Sequence, residues 1–282
     1  MVPWLSSLAG SRSGIAYFRH LHARTLGGQV GPSTRVLLST LERFYPLIFR
    51  NWEFVTESRT SVADLQRLGI ERSRIHRIPP GVDLTTFCPG PPSAGARILY
   101  FGGLRRYKYP EHAVLLLNRV ISNGIDAHLV VVGTGPSLEH VKTAARYAGL
   151  EERVYFTGHV TDKELVRLLQ SSRVNVQTSI AEGWCLSALE AAACGVPTIG
   201  YDVPGLNETV VDGNTGFLVP FGHIDALADA ASRIIGGMVD LQRNCVQWSK
   251  QYDWLSSARA WNELCQQVSK ESRVEYSRSY LT

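Results

Sequence analysis

The chain has 282 residues, 44% hydrophobic and 19% charged, which is enough apolar material for one large or two small globular domains and too much for a disordered chain. The formal charge of +4 is uneven: residues 1–50 hold Arg12, Arg19, Arg24, Arg35, Arg43 and Arg50 against Glu42 alone, 6 − 1 = +5, a basic front that either meets an anionic membrane surface or acidic partner or is merely solvated. Five cysteines without Cys-x-x-Cys or Cys/His ligand spacing fit a reduced cytoplasmic protein, no apolar run reaches 18 residues, and residues 1–10 lack the pattern of a signal peptide.

In chain order, residues 15–22 (I-A-Y-F-R-H-L-H) read as a strand turning His20 and His22 to one face; without a further ligand the pair makes no metal site. Residues 36–49 place Val36, Leu37, Leu41, Phe44, Tyr45 and Ile48 at the spacing of an amphipathic helix. Pro79, Pro80 and Gly81 stiffen a crossing, and residues 89–95 read as a linker, so a domain boundary is expected near Pro91. The part before it is shorter than a typical domain of roughly 100 to 150 residues.

Beyond the linker, apolar runs at 98–101, 128–132, 154–156, 174–176, 197–200 and 217–219 alternate with helical stretches, the pattern of a doubly wound parallel sheet. Ligands on such a sheet bind beyond the carboxyl ends of the strands. Gly102-Gly103-Leu104-Arg105-Arg106-Tyr107-Lys108 falls there, ahead of a helix starting near Pro110, so glycine backbone, helix N-terminus and Lys108 could together hold a diphosphate. Gly133-Thr134-Gly135-Pro136 completes no phosphate-loop pattern and reads as a plain turn. Gly158-His159-Val160-Thr161 leads into a helix at Asp162, where Thr161 and Glu164 form a capping box.

Residues 181–200, A-E-G-W-C-L-S-A-L-E-A-A-A-C-G-V-P-T-I-G, organise the rest. A short helix is expected from about Leu186 to Cys194, stopped by Gly195 and Pro197. Leu186, Leu189, Glu190 and Ala193 fall at i, i+3, i+4 and i+7, which puts the Glu190 carboxylate on an apolar face. There it needs donors, from backbone amides or from a ligand. Cys185 and Cys194 read as small apolar packing groups, residues 224–235 as an amphipathic helix, and the polar tail after Lys270 as frayed.

Glu182 and Glu190, seven residues between them and a Gly-aromatic step after the first, resemble the E-x7-E signature of the retaining glycosyltransferases of family four (glycosyl transferases group 1). Residues 201–220, Y-D-V-P-G-L-N-E-T-V-V-D-G-N-T-G-F-L-V-P, resemble the segment that follows it in that family, and the likeness runs from about Asn51 to Trp254. It implies an α/β fold of GT-B type. Residues 1–91 would be a partial N-terminal, acceptor-side domain and linker, lacking the opening strands and Gly-rich loop. Residues 92–250 would form a complete Rossmann-like nucleotide-sugar-binding domain, and residues 251–282 a helix crossing back to the N-terminal domain and a polar tail.

The implied reaction is transfer of a hexose from a UDP- or GDP-sugar to a saccharide or lipid-linked acceptor with retention of configuration, as in polysaccharide or cell-envelope biosynthesis. No metal, no other cofactor and no nucleic acid are expected. The place is the cytoplasm, with peripheral contact at the inner face of the membrane through the basic first 50 residues. The resemblance assigns catalysis to Glu182 and Lys108, Glu182 meeting hydroxyls of the donor sugar. It assigns donor binding to Gly102, Gly103, Arg105, His159, Val160, Gly183, Trp184, Cys185, Leu186 and Glu190. Within that set, His159 and Val160 lie by the base, the amides of Gly183, Trp184 and Cys185 by the diphosphate, and Glu190 by the ribose. Gly103 stands where the family has arginine and Cys185 where it has glycine. A truncated nucleotide-sugar-binding module of the same fold is the alternative; an epimerase on that fold fits less well.

Overall fold

The computed structural model describes residues 14–21, 31–91 and 95–279, with side chains as far as 270. His22, residues 1–10, Arg12 and Arg24, and residues 92–94 of the expected linker lie outside them. The chain divides into two compact units, residues 1–81 with 254–282, and residues 82–253.

In the first unit, β1 (Gly14–Tyr17) is followed by α1 (Pro32–Glu42), α2 (Tyr45–Ile48), β2 (Trp52–Thr56), α3 (Arg59–Arg67) and β3 (Ile75–Arg77). The strands form a parallel sheet in the order β1-β2-β3, with Gly14 opposite Trp52 and Phe54 opposite Ile75. Phe18, Tyr45, Phe49, Phe54, Leu65 and Ile75 make one core against it. The expected strand over 15–22 is shorter than predicted: β1 ends at Tyr17, and Phe18 turns into that core. The single helix expected over 36–49 is two pieces. Pro46 stands in the first turn of α2, where its missing N–H is tolerated, whereas one continuous helix would place it mid-helix.

The second unit runs β4 (Arg97–Phe101), α4 (His112–Ser122), β5 (His128–Val132), α5 (Leu138–Tyr147), β6 (Val154–Gly158), α6 (Asp162–Gln170), β7 (Val174–Gln177), α7 (Leu186–Ala193), β8 (Thr198–Tyr201), α8 (Leu206–Thr209), β9 (Gly216–Val219), α9 (Ile224–Ile235) and α10 (Gln242–Ser249). Its six strands lie parallel in the order β6-β5-β4-β7-β8-β9. Each expected apolar run falls on one of these strands: helices on both sides bury nearly every position of β4, β5, β7 and β8, while the edge strand β6 leaves Tyr155 exposed. Ile98, Tyr100, Leu129, Val131, Val174 and Val176 pack one core with α4 and α9, and Leu99, Phe101, Val130 and Val132 pack another with Leu169 and Leu189. The Thr161–Glu164 capping box forms at the start of α6.

β4 pairs with both β5 and β7, so the winding of the sheet reverses between β4 and β7. At such a reversal a doubly wound sheet places its ligand crevice, beyond the carboxyl ends of the two strands, and the loops after β4 and β7 lie there. Residues 82–91 belong with this unit: Val82 bridges Asp253, its N–H donates to the Tyr252 carbonyl at 2.8 Å, and Phe87 packs in the second core.

The last helix, α11 (Trp254–Ser279), returns to the first unit, where Leu264 packs with Val55 and Ile78 and the Ser257 hydroxyl donates to the Pro79 carbonyl. The tail expected to fray after Lys270 continues this helix to Ser279. Among the described residues no helix is long and apolar enough to cross a membrane.

Candidate functional site

The loop after β4 carries Gly102, Gly103, Arg105 and Lys108, and the loop after β7 carries Glu182 and leads into α7. Hydrogen bonds across the crevice fix one to the other. Thr178, fully buried, donates its hydroxyl to the carbonyls of Lys108 and Tyr109 at 2.7 and 2.9 Å, and the Ile180 N–H donates to the Tyr107 carbonyl at 3.0 Å. The backbone of Tyr109 is left-handed, φ 44°, which turns Lys108 back toward the crevice. Tyr109 then stacks on His112 and Phe221, 5.1 and 5.2 Å between ring centres. His112 Nδ1 meets the Tyr201 hydroxyl at 2.7 Å, and burial holds its imidazole below the usual pKa.

The two residues expected to be catalytic meet. Lys108 Nζ is 2.8 Å from Glu182 Oε1, which also accepts from the Ser179 hydroxyl at 2.5 Å. Burial pulls the Lys108 pKa down, but the charge of Glu182, with lesser help from Cys185, Tyr100 and Tyr107, outweighs it and holds the ammonium above its ordinary range. Gly102 lies beside this pair: a Cβ on it would stand 3.9 Å from Lys108 Nζ. The far side of the crevice is equally close-set. Glu182 N–H donates to the Pro204 carbonyl at 2.9 Å, and Gly205, φ +79°, passes so near that a Cβ there would fall 2.2 Å from the Glu182 carbonyl oxygen.

Glu190 lies on α7, whose Ala188, Leu189, Ala191, Ala192 and Ala193 are all buried. No protein donor among the described residues reaches its carboxyl, so the backbone-amide explanation for this acid fails. Burial first and the charge of Asp162 second push its pKa up to about 7. Asp162 opens α6, directly after the loop that carries His159 and Val160. His159 is exposed there and Val160 half-buried, and Val160 also packs against the second core.

Other expected donor ligands stand differently. The Cys185 N–H already donates to the Thr209 hydroxyl at 3.3 Å, so it is not a free donor for an anion, and Leu186 N–H bonds the Trp184 carbonyl at 3.1 Å. The Cys185 side chain points into the core near Ser187, and burial pushes its thiol up to about 11, which keeps it protonated. Trp184 is 3% exposed and stacks on Tyr252 at 5.1 Å, so its indole packs rather than lines the crevice. Gly183, next to Trp184 in the chain, is buried as well. Arg105 and Gly103 are exposed, and a Cβ on Gly103 would meet only the Arg105 side chain, at 3.7 Å.

Sequence reading missed the polar row beneath the crevice. Asn175 donates to Thr198 at 3.0 Å and Gln177 to the Phe101 carbonyl at 3.2 Å, while the buried Tyr100 hydroxyl, Gln177 Oε1 and Trp184 Nε1 have no partner among the described residues. The signal was the alternating polar residues of V-N-V-Q-T-S, unusual in a strand buried on both faces. Gly133-Thr134-Gly135 is a support as expected of a turn: a Cβ on Gly133, φ +123°, would fall 2.1 Å from the Gly102 carbonyl oxygen.

Residues 89–251 match the sequence profile of the family described as glycosyl transferases group 1. D-inositol 3-phosphate glycosyltransferase of Acidothermus cellulolyticus is 32% identical over 231 residues, 74% of this chain and 50% of the relative. The chain spans about half the length of the curated relatives it matches. Sucrose-phosphate synthase from Thermosynechococcus elongatus superposes with a TM-score of 0.78 at 25% identity over 95% of this chain and 72% of that one. Anabaena HepE in complex with UDP and glucose superposes with a TM-score of 0.77 at 18% identity over 93% of this chain and 74% of that one. The α/β fold of GT-B type, with its parallel sheets, is thus shown.

Proposed function

From a chain that belongs to the glycosyl transferases group 1 family, we infer a glycosyltransferase that moves a hexose from a UDP- or GDP-sugar to a saccharide or lipid-linked acceptor with retention of configuration. The observation that carries this reading is the Lys108–Glu182 pair at the reversal point of the sheet, 2.8 Å apart. A nucleoside diphosphate leaves as an anion, and a fixed ammonium with little water around it stabilises that charge far better than it would in bulk solvent. Glu182 accepts from hydroxyls of the donor sugar, and Glu190, without a protein donor, accepts from the ribose. His159 and Val160 border the base; Gly102 and Gly183 let the diphosphate approach the backbone.

Retention fits attack on the face from which the diphosphate departs, with the leaving oxygen taking the acceptor proton, so that no covalent sugar–enzyme bond forms. D-inositol 3-phosphate, the acceptor in the names of the relatives, is one candidate acceptor. We propose the cytoplasm as the place of this transfer, on the five cysteines without ligand or pairing spacing.

A second reading, a nucleotide-sugar-binding module without turnover, draws on the occupied Cys185 amide and the absence of a cationic side chain at Gly103. Calorimetric titration with UDP, GDP and their hexose conjugates, followed by release of free sugar with and without D-inositol 3-phosphate, separates the two. Binding with turnover supports the transferase, binding alone supports the module, and no binding overturns both.

A further inference from the structure

Tyr109, the residue after Lys108, is the one non-glycine residue among those described with a positive φ, 44°. An L-residue keeps that backbone only where its surroundings hold it there, whereas a glycine adopts it freely. What the tyrosine adds is its ring. That ring packs on His112 and Phe221, 5.1 and 5.2 Å between centres, and Phe221 meets Tyr201 edge-on at 4.9 Å. Tyr201 is fully buried, and its hydroxyl lies 2.7 Å from His112 Nδ1. Tyr109, half-buried, and Phe221, 39% exposed, are thus braced by the Tyr201–His112 pair and form a short aromatic wall beginning one residue from Lys108.

The wall continues into a groove. Directly after Phe221, residues 222–226 and the α4 residues Leu115, Asn118 and Arg119 line a cavity of about 550 Å³. Two of these side chains, Arg119 and Asp225, meet at 2.8 Å, so their charges offset each other and the lining carries no net formal charge. Such a groove selects neither a phosphate nor a cation. Asn118 and His223 present amide and imidazole groups that donate and accept hydrogen bonds. A ligand that suits these surroundings is uncharged, carries hydroxyl groups in several directions and has apolar C–H faces to lay on a ring. That describes a saccharide.

We propose that Tyr109, Phe221 and the groove of Asn118 and His223 are a subsite for the saccharide acceptor. Calling this saccharide the acceptor rests on the glycosyl-transfer reading, which puts the donor's base by His159 and Val160, after β6. Phe221 follows β9, and β6 and β9 are the two opposite edges of the sheet. The groove therefore lies on the side of Lys108 away from the base, and its neutrality favours an uncharged saccharide over a phosphorylated acceptor.

The test is saturation-transfer NMR of the full chain with maltotriose, mannotriose and chitotriose, with UDP titrated by calorimetry on the same sample. The C–H protons of at least one trisaccharide should take up saturation. Phe221→Ala should weaken its binding about tenfold, the loss of one stacked ring, and Phe221→Trp should retain it. Asn118→Ala, at an exposed helical position that bears no core packing, should weaken it about fivefold through one lost hydrogen bond. No saturation of any trisaccharide, saturation unchanged by both alanine variants, or displacement of the trisaccharide by inorganic phosphate overturns the subsite. UDP binding without trisaccharide binding overturns the subsite and leaves the transferase reading standing. Trisaccharide binding that the alanine variants weaken, in a chain that does not bind UDP, supports the subsite and overturns the transferase reading.

Discussion

The Lys108 ammonium lies 2.8 Å from Oε1 of Glu182, with 14 and 10% of the two side chains exposed. Each is the other's counterion while no anionic ligand is bound. A diphosphate entering this crevice therefore shares or takes over a cation that is already paired, and part of its attraction is spent on loosening that pair.

Breaking a buried pair from one side leaves a charge without compensation. Lys108→Met should destabilise the chain by about 3 kcal/mol, and Lys108→Met with Glu182→Gln should recover at least half of that loss. Urea unfolding of the four proteins in the cycle measures it; strictly additive single losses would show that the two side chains are not coupled.

Glu190 makes stability depend on pH. Its pKa of about 7 in the fold stands above the value of about 4.3 for a free glutamate. The native state thus holds a proton that the unfolded chain has already released. The contribution of Glu190 to stability is full below about pH 4.3, is lost as pH rises from there to about 7, and is flat beyond, with a full span of at most about 3.5 kcal/mol. Glu190→Gln should remove this slope from melting curves recorded between pH 5 and 8. If the ionised carboxylate grips the ribose, donor affinity should rise over the same interval in the wild type and stay level in the variant.

Thr178 holds the backbone of Lys108 through its hydroxyl. Thr178→Val deletes the bonds to the Lys108 and Tyr109 carbonyls and should raise the KM for donor about tenfold, with kcat changed less. Thr178→Ser, which keeps the hydroxyl, should restore the KM. A fall in kcat alone, with no rescue by serine, would count against a positioning role.

Gly103 leaves room for a side chain. Gly103→Arg meets no backbone and should fold with an unchanged melting temperature. A guanidinium beside Lys108 should tighten UDP binding by about tenfold, in line with a charge-assisted hydrogen bond. Unchanged affinity in calorimetry would place the diphosphate elsewhere.

Much of this was legible in the sequence, for a physical reason in each case. The inner strands of the second unit are buried on both faces, so β4 and β5 read as nearly unbroken apolar runs, while Asn175 and Gln177 interrupt the run in β7. Thr161 and Glu164 cap α6 through contacts three residues apart, which spacing alone reveals. The E-x7-E spacing marked both carboxylates but not their surroundings. That Glu182 has Lys108 as a partner, and Glu190 has no donor among the described residues, depends on loops brought together by the reversal of the sheet. Capture of the Cys185 amide by Thr209 is a contact between α7 and α8 that no local pattern signals. The break between α1 and α2 was signalled by Pro46, against a helical periodicity that runs straight through it.

The first unit is interrupted in sequence. Its sheet ends at residue 77, yet Leu264 and Ser257, which pack and tie it, come only after the whole of the second unit. On a ribosome the second unit can close as soon as residue 253 has emerged, while the first waits with Val55 and Ile78 uncovered until α11 is made. A chain stopped near residue 253 should then carry a finished parallel sheet in the second unit and a first unit whose Val55 and Ile78 stay open to chaperones and proteases.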